Sequence, residues 1–179
     1  ETLPFDMGAE TLNLELPTLL DHRALSLRHP QVQAIFKVQS VIIDSFREFM
    51  KSQEFFEFQA PSIAPAVAEG GAEVFQVDYF EHKASVNKVF RAEPSVTARH
   101  LTEIVSLDAE MSFIDSWKDV RDMADATIKY IFHELETKCK KEIEMFGATL
   151  PTTIDQTPTL SLREAQEKIF NHSKRDVRG

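Results

Sequence analysis

Arg91, Glu93, Arg99, His100, Asp108 and Glu110 all fall within residues 90–111, "FRAEPSVTARHLTEIVSLDAEM". An arginine fork suits bidentate contact with a phosphate or a carboxylate. A second arginine beside a histidine, in a short connection, suits the outer end of a polyanion. The carboxylates suit an ammonium group or a hard cation such as Mg²⁺. The chemistry on offer is the capture of a charged ligand on a polar floor rimmed by cations. The plainer alternative is a solvated sheet face with ordinary cross-strand Arg–Glu pairs.

Either reading needs a hairpin to position these residues. Side chains alternate across a strand. In "VNKVFRAE" one face carries Asn87, Val89, Arg91 and Glu93. In "LTEIVSLDAEMSF" the apolar face is Val105, Leu107, Ala109, Met111 and Phe113, and the opposite face carries Asp108 and Glu110. The short "PSVTARH" between them predicts an antiparallel pair that places Arg91 and Glu93 beside Asp108 and Glu110, with Arg99 and His100 at the turn.

The flanking elements follow from hydrophobic period. Residues 1 to 24 show no sustained period and read as a lead-in arm or linker. From Pro30, the spacing of Val32, Ile35, Phe36, Ile42, Ile43, Phe46, Phe49 and Met50 predicts a helix to residue 52. "EFFEFQAP" reads as a strand ending near Pro61, with Phe56 and Phe58 on one face. "PSIAPAVAEGGAE" reads as a loop and "EVFQVDYF" as a strand. Ser116 and Asp119 form a capping box for a long helix with an apolar stripe from Trp117 to Ile143, stopped at Gly147. Ser161 and Glu164 cap a shorter one over "SLREAQEKIF". The basic tail "NHSKRDVRG" reads as frayed. This order predicts an α+β fold, mainly antiparallel sheet flanked by helices.

Composition bounds the function. A chain of 179 residues with 42% hydrophobic and 27% charged content can hold a core. A net charge of −9 excludes nucleic-acid binding by bulk attraction. A single cysteine, Cys139, excludes an internal disulfide and a cysteine zinc cage and fits a reducing, cytoplasmic setting. No apolar run approaches the length of a membrane span, and "ETLPFDMGAE" is no secretory signal.

The stretch "VFRAEPSVTARHLTEIVSLDAEM" resembles motif 2 of the class II aminoacyl-tRNA synthetases, most closely the aspartyl group in its archaeal and eukaryotic form. "LDHRALSLRHPQVQAIFKVQSVIIDSFREFM" resembles that family's entry into the catalytic domain, and "EFFEFQAPSIAPAVAEGGAEVFQVDYF" its motif 1 and the loop that follows. The likeness covers roughly residues 17 to 165. It implies a lead-in arm over 1–24 and, over 25–179, the N-terminal portion of a class II catalytic domain with motifs 1 and 2 and without motif 3.

By that resemblance the protein is a cytoplasmic ligase of protein biosynthesis. It would activate aspartate with ATP and Mg²⁺ and transfer it to tRNA, as a homodimer joined through residues 30–61. The resemblance assigns Arg91 to the α-phosphate and the amino-acid carboxylate, as the catalytic residue. Glu93, Arg99, His100 and Leu101 join Arg91 in holding ATP. Glu69, on a loop freed by Gly70 and Gly71, would meet the substrate ammonium. No metal ligand is assigned within the chain; the Mg²⁺ ligands are expected mostly outside it.

Three departures accompany the likeness. Ile104 stands where the family usually has an aromatic that stacks on adenine. Between the "YF" strand and "FRAE" the family carries a further segment with a "QSPQ"-like stretch, whereas "YFEHKASVNKVFRAE" runs straight through. The chain as written also stops before motif 3, so parts that activity needs are expected to be missing. The rival readings are an asparaginyl or non-discriminating Asp/Asn ligase, and a paralogue that does not charge tRNA, either amide-forming or a non-catalytic dimerising module.

Overall fold

The computed structural model describes residues 3–58, 63–64, 75–79, 82–86 and 104–177. Six helices and three strands occur among them, in the order α1 Leu16–Asp21, α2 Arg23–Ser26, α3 Pro30–Ser52, β1 Ile63–Ala64, β2 Phe75–Tyr79, β3 His82–Val86, α4 Trp117–Lys138, α5 Lys140–Met145 and α6 Leu162–Ser173.

Helix α3 begins where the sequence predicts, because Pro30 sits in its first turn and His29 caps it. The His29 Nδ1 accepts from the backbone N–H of Gln31 at 3.2 Å, and Nε2 donates to the carbonyl of Ala9 at 2.8 Å. The Gln31 side chain accepts from the Leu12 N–H at 2.8 Å. The first turn of α3 therefore holds the backbone of the N-terminal arm at two points. Phe5 is buried in that arm and meets His22 edge-on at 6.2 Å. The expectation of an irregular stretch up to residue 24 is corrected: α1 and α2 form there, with Pro17 in the first turn of α1 and the Ser26 hydroxyl bonded to the Leu19 carbonyl at 2.9 Å.

Helix α3 ends in a Schellman turn. The Phe55 N–H reaches the Met50 carbonyl and the Glu54 N–H the Lys51 carbonyl, while Glu54 takes the left-handed φ of 64° usually given to glycine. Of the strand expected over "EFFEFQAP", residues 54–58 form none, and residues 59–61 lie outside the described residues. Residues 55–58 have no ladder partner among the described residues. The Phe56 and Phe58 rings, 84% and 70% exposed, lie 6.3 Å apart. Two aromatics two residues apart satisfy a strand pattern, but a strand also requires a neighbour for its backbone.

Helices α3 and α4 run antiparallel: Phe49 stacks on Tyr130 at 5.3 Å, while Lys37, earlier in α3, reaches Glu142 beyond the end of α4. Ala34, Ser45 and Met50 from α3 and Thr127 and Leu135 from α4 are buried at this seam, together with Cys139 and Glu142. The two buried hydroxyls bond within their own helices, Ser45 to the Val41 carbonyl and Thr127 to the Met123 carbonyl, so neither costs an orphaned donor. Lys37 Nζ donates to Glu142 Oε1 at 2.5 Å. That hydrogen bond is the main reason the Glu142 carboxyl is held below the usual glutamate range.

The long C-terminal helix starts at its predicted capping box, Ser116 with Asp119. It does not run unbroken to Gly147. It breaks at Cys139, whose φ of −126° ends α4 while its side chain turns fully inward. Gly147, at φ 59°, closes α5 in a second Schellman turn. The apolar stripe is also narrower than its sequence pattern: Trp117, Val120 and Ile128 stay exposed. The α6 capping box, Ser161 with Glu164, forms as predicted. The tail is not simply frayed, because the Gln166 amide donates to the Val177 carbonyl at 2.8 Å.

The three strands form one antiparallel sheet in the order β1-β3-β2. β2 falls where "EVFQVDYF" predicts it. β1 lies within the stretch read as a loop, and β3 was read as no element. The described residues are thus mostly helical, with a small sheet, rather than mainly antiparallel sheet. The return strand of the expected hairpin is corrected as well. Residues 104–113 carry no regular element, and Val105, Leu107, Ala109 and Phe113, expected to face the core, are exposed. An alternating pattern buries a face only where a second layer covers it.

Candidate active site

The sheet register decides which stretches meet. Ile63 pairs with Val86 on one side of β3, and Phe75 pairs with Val86 on the other. β1 and β2 therefore run parallel to each other about 9.5 Å apart, two strand spacings, with β3 between them. Only residues 70–74 separate Glu69 from Phe75, and only residues 87–90 separate Val86 from Arg91. Glu69 and Arg91 thus flank, in sequence, the two strands of the β2–β3 pair.

The assigned residues themselves, Glu69, Arg91, Glu93, Arg99, His100 and Leu101, lie outside the described residues, as do Gly70 and Gly71. Of their expected neighbours, Asp108 and Glu110 are exposed, and Asp108 accepts from the Ser106 hydroxyl at 3.1 Å. Ile104 is half-buried.

Elsewhere a shallow open groove lies between α3 and α4, lined by Val41, Asp44, Arg47, Glu48 and Lys138. Its charges answer one another. Lys138 Nζ lies 2.6 Å from Glu134 and 3.7 Å from Glu48, and the Tyr130 hydroxyl donates to Glu48 at 3.4 Å. The bond to Glu134 leads in pushing Lys138 up, and burial leads in pushing the Tyr130 phenol up. These contacts form an ion network that ties the two helices. Among the described residues no cluster of three or more His, Cys, Asp or Glu side chains could hold a metal ion. No helix among them is long and apolar enough to cross a membrane.

The family model for class II tRNA synthetases (D, K and N) matches residues 15–85 and 79–179. Aspartate–tRNA(Asp/Asn) ligase of Deinococcus radiodurans is 32% identical over 94% of this chain and 44% of its own length. A cytoplasmic aspartate–tRNA ligase of Dictyostelium discoideum is 38% identical over 78% of this chain and 28% of its own. Asparaginyl-tRNA synthetase of Pyrococcus horikoshii, in a crystal structure with asparaginyl-adenylate, superposes with a TM-score of 0.82 at 30% identity, over 92% of this chain and 43% of that one.

The fold is that of a class II synthetase domain, and the chain belongs to the class II tRNA synthetases of the D, K and N group. It spans less than half the length of these relatives.

The matches also bear on the interior of the chain. The family model fits in two stretches that meet over residues 79–85. The alignment with the Deinococcus relative runs over 190 residues, more than the 179 of this whole chain, so that relative carries residues with no counterpart here. This is the neighbourhood in which the sequence runs straight from "YF" to "FRAE".

Proposed function

We propose that the protein acts as an aspartate–tRNA ligase of the cytoplasm. The observation that carries this reading is the likeness to aspartate–tRNA ligases along nearly the whole chain, the Deinococcus relative among them. The carboxylate oxygen of aspartate attacks the α-phosphorus of ATP. The bond from that phosphorus to the bridging oxygen breaks, and pyrophosphate leaves. A hydroxyl at the tRNA 3′ end then attacks the carbonyl of the aspartyl-adenylate and AMP leaves. Both steps depend on positioning and on stabilising negative charge where it develops.

In this reading Arg91 holds the α-phosphate and the substrate carboxylate, and Glu93, Arg99, His100 and Leu101 bind the remainder of ATP. Glu69 takes the substrate ammonium from a loop that Gly70 and Gly71 allow to close. Their places in the sequence on either side of the β2–β3 pair support this assignment. Mg²⁺ would assist, with ligands mostly outside this chain, and no step here is routed through it. The partition at residue 24 and the homodimer through residues 30–61 belong to the same reading. The exposed Ile35 and Phe36 on α3, with Phe56 and Phe58 beyond it, support the dimer.

A second reading has its own observation. The two-piece family match and the residues without counterpart support a paralogue that lacks part of the substrate segment and does not charge tRNA. ATP–pyrophosphate exchange and the charging of tRNA together separate the readings. Exchange with aspartate and none with asparagine, with transfer of aspartate to tRNA, supports the first, and the same exchange without transfer favours the amide-forming paralogue. Exchange with both amino acids, or with asparagine alone, moves the specificity to the non-discriminating or asparaginyl reading. No exchange with either, in protein that folds and dimerises, favours the paralogue.

A further inference from the structure

Helix α4 carries Arg121, Asp125 and Lys129 one turn apart along one line. Residues 155–159 run across that line in the opposite direction. Lys129 Nζ donates to the Asp155 carbonyl at 3.1 Å, the Thr157 hydroxyl donates to Asp125 Oδ1 at 2.5 Å, and Arg121 Nη1 donates to the Thr159 hydroxyl at 3.4 Å. The spacing explains why three contacts form in register. Four helical residues rise about 6 Å, and two residues of near-extended chain advance about 6.6 Å. Alternate residues of the segment therefore meet successive turns of the helix.

Asp125 is the hub. Its second oxygen accepts from Lys129 at 2.6 Å, so a single carboxylate orients both the Lys129 ammonium and the Thr157 hydroxyl. Those two hydrogen bonds, Lys129 first, hold its carboxyl below the usual aspartate range. No side chain from 151 to 164 is buried, and the apolar Ile154 and Leu160 that flank the segment are each only about half covered. The segment leads directly into α6, none of whose residues is buried and whose Leu162 is 77% exposed.

We propose that residues 155–159 are a detachable latch, with Asp125 as its hub, that fixes where the chain leading into α6 lies along α4. A surface ion pair or hydrogen bond contributes little in water, so a single substitution shifts the balance between attached and released states. The device uses none of the residues assigned to aspartate and ATP, and it does not rest on that reading.

Backbone amide NMR relaxation on the whole protein tests it. Asp125→Ala is expected to lower the order parameters of residues 155–161 and of the first turn of α6, leaving α3 and the buried turns of α4 as ordered as before. Thr157→Val, which removes one contact, is expected to give a smaller drop in the same segment. Trp117 is an independent reporter, since it is the only tryptophan and Arg121 lies 5.4 Å from its ring. Its fluorescence should shift in Asp125→Ala and stay unchanged in Glu136→Ala, on the same helix. Unchanged order parameters over 155–161 in Asp125→Ala overturn the latch. So does a drop that spreads equally through α3 and α4, which would make Asp125 an ordinary contributor to helix stability.

Discussion

At the scale of single residues, arginine 91 decides between two meanings of one pattern. An Arg–Glu pair on a polar strand face is either a charge pair that water tolerates or a fork aimed at a reacting phosphate. Removing a donor aimed at charge that develops in a transition state costs about 3 to 4 kcal/mol, roughly a hundredfold to a thousandfold in rate. Arg91→Ala is therefore expected to remove most aspartate-dependent ATP–pyrophosphate exchange while leaving the melting temperature nearly unchanged. Arg91→Lys should recover little, because a point charge does not reproduce the planar fork. Near-normal exchange in the alanine variant would remove Arg91 from the site, and an unfolded variant would make it a structural cross-strand partner.

At the scale of elements, the helices were the most legible part of the sequence. Pro30, the Ser116–Asp119 box and the Ser161–Glu164 box are local signals, and each sits at the boundary it predicts, while Gly147 closes α5 rather than the long helix it was expected to stop. Which side of a helix is covered was not legible. Leu135 and Leu162 are both leucines on amphipathic helices, yet Leu135 faces α3 and is buried while Leu162 faces water. Leu135→Ala should cost about 2 to 5 kcal/mol in denaturant unfolding, as a buried leucine does. Leu162→Ala should change stability by no more than about 0.5 kcal/mol, as a surface substitution does. Equal losses at the two sites would mean that α6 is packed in solution. The break at Cys139 had no warning in the sequence either, because it comes from a side chain turning into the seam beside Glu142 rather than from a Gly or Pro.

At the scale of the whole molecule, the exposed apolar surface is large for the core it accompanies. Ile35, Phe36, Phe56, Phe58, Trp117 and Ile128 all stand exposed, and the seam between α3 and α4 buries few large side chains among the described residues. Large apolar side chains left in water in this number fit contact with another surface. Sedimentation at micromolar concentration is expected to show a two-fold dimer, and Phe36→Asp is expected to shift it to monomer with its helical content retained. A folded monomer in the unsubstituted protein would remove α3 from the interface.

What the sequence determined by itself is what depends on near neighbours. Caps, turns and helical period are set within a few residues, and the run from "FRAE" through "RHLTE" to "LDAEM" carried the family. What only the tertiary structure decided is what depends on residues far apart. Those are the antiparallel seating of α3 on α4, the β1-β3-β2 strand order, and the polar contacts of residues 155–159 along α4. The alternating pattern of residues 104–113 states which side chains share a face, but a face becomes core only when another layer arrives to exclude water from it. That layer is supplied by chain distant in sequence, and no local spacing encodes its position.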